Sequence, residues 1–256
     1  MRVLGRIRRH AAPVRGFLPL LLGLALWELL LVGQTSPFFP PPSLWFSELT
    51  EEYSAGELLS ALGATFRTLV VGLAIATAIG AVAGIAIGYF RTVRMSFSTL
   101  VEFLRALPSP VIVPIAMLAF GQGEAMKVFA VAFASIWPVL LNAASAAGST
   151  SPVLLDVATT FRMGTGARLR KIVLPGTVPS ILLGVRVALP VALIVTILVE
   201  MLGAGGGIGA PLIDAQREYR SASAFGLLLI VGIFGYVLNL LFTMLQALFL
   251  RRWPDG

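Results

Sequence analysis

The sequence predicts an all-α integral membrane protein with about six transmembrane helices and both termini on the cytoplasmic side. Three observations carry that expectation: a very apolar composition, a series of long uncharged runs, and a one-sided placement of lysine and arginine. Of the 256 residues, 57% are hydrophobic and 12% charged, against roughly one-quarter charged in soluble domains, and the mean hydropathy is +0.92. A bilayer span takes about 20 apolar residues, so these runs fill the chain and leave no separate soluble domain.

The runs fall at 17–33 (interrupted by Glu28), 68–90, 106–120, 128–155, 181–199 (interrupted by Arg186) and 221–250. Cytoplasmic loops retain lysine and arginine, which sets the orientation. With the N-terminus inside, Arg2, Arg6, Arg8, Arg9, Arg15, Arg91, Arg94, Arg162, Arg168, Arg170, Lys171, Arg251 and Arg252 are cytoplasmic. Lys127, Arg217 and Arg220 then fall outside, as do Glu48, Glu51, Glu52, Glu57, Glu124, Asp214 and Glu218. The expected organisation is a basic cytoplasmic segment, 1–16, followed by one polytopic membrane domain, 17–256. Within that domain, 34–60 is an external Pro-rich segment with an interfacial helix, 148–180 a cytoplasmic loop and 204–220 an external loop. A signal peptide over 1–33 fits less well, because Gly33-Gln34-Thr35 offers no small-residue cleavage site.

Several chemistries are excluded at this stage. With no cysteine there is no disulfide, thiolate metal site or thiol nucleophile. The lone His10 sits in a basic terminus with no second ligand type beside it, so neither a metal nor a catalytic residue is expected. The net charge of +7 does not read as nucleic-acid binding, which needs a soluble basic face with stacking aromatics; here the charges lie between apolar runs, where lipid is the partner.

Prolines and glycines give the runs internal structure. Residues 36–43 contain four prolines and cannot form a helix, so they read as a stiff connection before an amphipathic stretch, 44–59, on the outer interface. Pro108, Pro110 and Pro114 in the third run, Pro138 in the fourth and Pro190 in the fifth predict broken helices, which a membrane tolerates where they are buried or line a cavity. In the second run Gly72, Ala76, Gly80, Gly84 and Gly88 recur every four residues and form a small-residue stripe. Such a stripe reads as close helix packing rather than pore lining, within one subunit or across a dimer. Glu102, Arg105, Arg186 and Glu200 lie within or at the edge of spans, where a charge marks a translocation path or an intramembrane pair. Glu102 and Arg105, three residues apart, can share a helix face and pair.

The loop 148–180 contains Asp156-Val157-Ala158-Thr159-Thr160-Phe161-Arg162-Met163-Gly164-Thr165-Gly166, then 167–173 and Leu174-Pro175. Local signals predict a short helix ending near a glycine-containing turn, then a basic amphipathic helix stopped by proline. On periodicity alone, a basic helix lying on anionic headgroups fits this segment better than a docking element.

Here the sequence resembles the permease subunits of ABC importers, whose cytoplasmic loop carries a Glu-Ala-Ala motif, then a glycine, then a closing Leu-Pro. Counting back from Leu174-Pro175 places Asp156 at the acidic position and Ala158 at the second alanine. Aspartate replaces the usual glutamate and Arg162 stands at the usual glycine, with Gly164 and Gly166 following. The likeness extends to residues 39–43, 103–108, 120–124, 200–204, 207–209 and 235–239, which look like the nitrate/sulfonate/taurine branch.

The resemblance implies a type I importer permease fold and several partners: a second permease copy in a homodimer, two ABC ATPase subunits and an extracytoplasmic solute-binding protein. It also implies a location in the bacterial inner membrane. ATP and Mg would be bound by the ATPase, since this chain has no G-x-x-x-x-G-K-[ST] loop and is expected to bind no cofactor itself. Asp156, Ala158, Phe161, Arg162, Met163, Gly164, Thr165, Gly166, Leu174 and Pro175 become the expected ATPase-docking element, with residues 161–165 at its tip and Leu174-Pro175 setting its return angle. The alternative is an ion-coupled secondary transporter or channel with Glu102, Arg105, Arg186 and Glu200 as the relay.

Overall fold

The computed structural model describes residues 14–31, 33, 38–203 and 205–251. The basic N-terminus up to residue 13, including His10, lies outside the described residues, as do 34–37 of the Pro-rich connection. Among the described residues every regular element is helical. Four helices among the described residues are long and apolar enough to cross a membrane: α3 (Ala55–Tyr89), α6 (Glu124–Gly148), α8 (Thr165–Met201) and α10 (Ser221–Leu250).

The first and third expected spans are shorter. The first is α1 (Leu18–Leu31), whose 14 residues reach about 21 Å at 1.5 Å per residue, less than the roughly 30 Å hydrocarbon core. The third is α5 (Ser109–Phe120), which follows α4 (Arg91–Ala106) after a bend of 95°, and only the pair together is long enough to count as a span. Leu107 is extended and Pro108 caps α5, so the missing amide donor coincides with the break. The other prolines do not break their helices. Pro114, Pro138, Pro179 and Pro190 all lie inside continuous helices.

Arg67, just ahead of the second expected span, is part of α3, which starts twelve residues earlier at Ala55. The start is set by a capping box: the Glu57 amide donates to Ser54 Oγ at 3.2 Å, and the Ser54 amide donates to Glu57 Oε2 at 2.7 Å. The amphipathic stretch 44–59 therefore divides between α2 (Pro42–Glu52) and α3. Of these, α2 packs on α10, with Trp45 and Leu49 buried. Gly226 of α10 is where they meet, because a Cβ there would run into Leu49 and the Trp45 carbonyl. The Trp45 ring also meets Trp27 of α1 and Phe225 of α10, at centroid distances of 5.5 and 5.3 Å.

Glu28 is a connection between elements. Its Oε2 accepts the Ser43 amide of α2 at 2.9 Å, at a helix start where neither Pro41 nor Pro42 supplies a side-chain cap.

The main apolar core joins α3, α5, α6, α8 and α10 through residues such as Leu69, Val113, Val131, Val139, Val195 and Leu238. A second cluster around Leu49, Ile197, Ile208, Ala215 and Leu227 lies where α2, α8, α9 (Gly209–Arg217) and α10 meet. Since α8 runs unbroken from Thr165 to Met201, α7 (Pro152–Thr160) and α9 lie at opposite ends of it.

Candidate coupling surface

The turn between α7 and α8 is built from backbone hydrogen bonds. The Arg162 amide donates to the Thr159 carbonyl and the Met163 amide to the Ala158 carbonyl, each at 2.9 Å. That pair of bonds is a Schellman cap, which requires a left-handed residue just past the helix end, usually glycine. Arg162 occupies it with φ +50°. The turn is therefore not moved onto either nearby glycine: Gly164 has φ −66°, and Gly166 lies inside α8. Arg168 Nε donates to the Met163 carbonyl at 2.9 Å, which ties the turn to the following helix. A left-handed non-glycine residue costs about 1–2 kcal/mol, so Arg162→Gly is expected to raise the stability of the purified chain by up to about 1 kcal/mol after the entropy glycine adds to the unfolded state. Thermal unfolding in detergent, with the Gly164→Ala variant as reference, reads that shift.

The cap leaves a projecting tip. Ala158 is fully buried, while Phe161 is 76% and Val153 68% exposed, with Leu154 and Val157 about half exposed along the same helix. Asp156, Arg162, Thr165 and Gly166 are exposed, as is Gly164, and Met163 is half-buried. Arg168, Arg170 and Lys171 follow in the first turns of α8. An apolar strip with basic residues behind it is thus presented at one end of the bundle.

The expected stop at Leu174-Pro175 does not occur. The helix runs through both residues, because residues 169–173 widen into a π turn in which the Leu174 amide bonds the Leu169 carbonyl five residues back. Proline lacks the amide and its ring collides with the carbonyl four residues earlier; the wider turn directly ahead of Pro175 relieves both. Leu174 and Pro175 therefore belong to the base of α8, and the direction of the chain is set earlier, at the Arg162 turn.

The remaining singled-out residues lie in four places. Gly72, Ala76, Gly80, Gly84 and Gly88 are buried along α3. All four glycines face α6, where an added Cβ would collide with Val131, the Leu140 carbonyl or the Ala144 carbonyl and, at Gly80, would crowd the Ile136 carbonyl and Val139. The stripe is thus filled from within the chain. Glu102 and Arg105 are both exposed on α4 and form no ion pair with one another, so the expected pairing is absent. The reason is that α4 is a strongly amphipathic helix outside the apolar run, where each charge can reach solvent. Arg186 is half-buried midway along α8, with no partner among the described residues.

Glu200 is fully buried at the other end of α8. Its Oε2 accepts from Thr65 Oγ1 at 2.9 Å and from the Gly209 amide at 3.1 Å. Two of its neighbours escape a sequence reading. Thr65 is 135 positions away in the chain, and Lys127, expected in an external loop, is buried inside α6 with its Nζ on the Gly205 carbonyl. The run of glycines after Glu200 was the one available signal. Among the described residues no group of acids and histidine is arranged to hold a metal ion.

Residues 76–254 match the family described as "Binding-protein-dependent transport system inner membrane component". The chain belongs to that family. Two curated relatives agree along nearly the whole length. The bicarbonate transport system permease protein of Synechococcus elongatus is 28% identical, covering 94% of this chain and 89% of its own. The nitrate import permease protein of Leptolyngbya laminosa is 25% identical, covering 99% and 91%. Among solved structures, a chain of an amino acid ABC transporter crystallised with histidines superposes with a TM-score of 0.60 over 81% of this chain and 98% of that one, at 17% identity. That likeness shows the fold, and together with the family match it gives an all-α permease of the type I importer kind. The protein is thus a multi-pass inner-membrane subunit of an ABC transport system, in the nitrate/sulfonate branch of these permeases.

Proposed function

We propose that this permease forms the path by which a small oxyanion of the nitrate or bicarbonate kind enters the cell, driven by ATP hydrolysis in separate subunits. Two ATPase subunits, carrying ATP and Mg, dock on the α7–α8 tip of two permease copies, and an extracytoplasmic binding protein delivers solute at the α9 end. This chain is the non-catalytic part. In this reading the tip and the C-terminal end of α10 lie on the cytoplasmic side, where arginine and lysine concentrate.

The observation that carries the reading is the exposed apolar strip ending at Phe161, flanked by basic residues and held by a backbone-bonded cap. A helix lying on headgroups would turn such a strip into the lipid, but this one ends in a tight turn that presents Phe161 at the tip of a hairpin, the shape of a plug for a groove. Closure of the ATPases would then move α8, whose first turns are part of the plug, and alternate access to the path. Arg186 belongs to that path: a half-buried arginine midway along a span needs water, an anion or a partner chain beside it.

Uptake of labelled nitrate or bicarbonate into vesicles holding the permease, its ATPase and its binding protein tests the proposal. Uptake is expected only with internal ATP and all three proteins, and Arg186→Leu should lower it about tenfold or more, the scale of losing a charged contact in a low-dielectric site. Uptake driven by a proton or sodium gradient without ATP would replace this reading with ion-coupled transport.

A further inference from the structure

Three helices converge on the glycine-rich segment that follows α8, and each contributes one polar hold on it. From α8, the buried Glu200 carboxylate takes the Gly209 amide. From α3, Thr65 Oγ1 takes the Ile208 amide at 2.9 Å while also bonding Glu200. From α6, Lys127, 4% exposed, bonds the Gly205 carbonyl, with Glu124 at 4.0 Å as its counter-charge. The segment is glycine because of these holds. A Cβ at Gly207 would occupy the space of the Glu200 carboxyl group, and one at Gly209 would meet the Glu200 Cβ and the Ile197 carbonyl. Gly205, Gly206 and Gly207 all have positive φ, which lets the chain fold around the carboxylate.

The contacts of α9 with α10 are of another kind. There the second apolar cluster, Ala215 and Leu227 among its members, supplies the packing. Apolar contact is non-directional and tolerates sliding, whereas a set of hydrogen bonds to fixed backbone groups holds only in one register. Burying a carboxylate costs several kcal/mol, and an apolar plug of the same volume would hold the cluster at least as well. The carboxylate therefore adds register rather than adhesion.

We propose that Glu200, with Thr65 and Lys127, is a clasp that locks α9 to the α3–α6–α8 unit, so that α9 travels with that unit past α10 and serves as the gate at its end of the path. Glu200 is a positioning residue in this scheme, and the inference rests on the ATP-driven reading above.

The test uses the full transporter in lipid, with a single cysteine introduced by Asp214→Cys on the exposed face of α9 and, separately, by Thr160→Cys at the coupling tip; the permease has no native cysteine to interfere. The probe is a membrane-impermeant maleimide, applied without nucleotide and with Mg-ATP trapped by vanadate. At position 214 the labelling rate should change by about tenfold between the two states, a typical size for coupling between distant sites. Adding Glu200→Ala or Lys127→Met should abolish that change while the tip still responds, and Glu200→Gln, whose amide oxygen can still accept from Gly209, should retain most of it. If Glu200→Ala does not assemble, Thr65→Val removes one hold at constant volume and must reduce the response. An unchanged response at 214 in these variants, or a parent that responds at 160 but not at 214, overturns the clasp alone. A parent that responds at neither position overturns the ATP-driven reading and the clasp with it.

Discussion

Gly84→Leu or Gly88→Leu is expected to prevent α3 from seating on α6 and to destabilise the chain by at least about 3 kcal/mol, the upper range for overpacking in a core. At both positions the nearest obstacle to a Cβ is a backbone carbonyl, of Leu140 and of Ala144, so no rotamer change can make room. The two helices would have to move apart along the interface that joins the largest part of the core. Between membrane helices the attraction comes mainly from close van der Waals packing, so an added side chain removes the cause of association as well as straining it. Gly63, on the same helix, meets nothing within 4 Å. Gly63→Ala should therefore raise stability by up to about 1 kcal/mol through helix propensity. Thermal unfolding and gel-filtration profiles of the variants in detergent separate the outcomes; equal behaviour of the Gly84 and Gly63 variants would contradict the packing.

The second large effect is expected at the coupling tip. Phe161→Ala should weaken binding of the ATPase by about 2 kcal/mol, roughly 30-fold, the scale of a central aromatic anchor. Phe161 is 76% exposed at the end of α7, so its removal leaves no cavity in the chain, and the unfolding temperature should stay within about 2 °C of the parent, as for a surface substitution. Affinity measured by titrating the isolated ATPase onto permease in nanodiscs reads the first quantity and a melt reads the second. Loss of stability without loss of affinity would place Phe161 in the fold rather than the interface.

What was legible in the sequence follows from how far apart the interacting residues are. The α3 stripe is a local period-four pattern, and its burial follows from helix geometry alone. The loop with Asp156, Ala158 and Leu174-Pro175 was legible by its spacing, but its turn was not, because a left-handed arginine has no local signature: propensity points to Gly164 or Gly166 instead. Proline misled in one direction, by overstating breaks. Pro108 does break the chain, yet Pro114, Pro138 and Pro190 are carried within helices, and Pro175 is accommodated by a π turn that no residue preference announces. Lys127 looked like a loop charge because it borders an apolar run, and its burial depends on a carbonyl 78 positions away. Glu28 and Glu200 illustrate the same limit: each interrupts or ends an apolar run, but one of its oxygens bonds a backbone amide from a different element.

The central claim, that this family member couples to a separate ATPase through the α7–α8 tip, is tested most directly by co-purifying the wild-type chain and the Arg162→Glu, Met163→Glu double variant with that ATPase from lipid. The wild type is expected to hold two permeases with two ATPases, and the double variant to fold but to come away alone. A wild-type chain that retains no ATPase, or a double variant that retains it in full, would contradict the account.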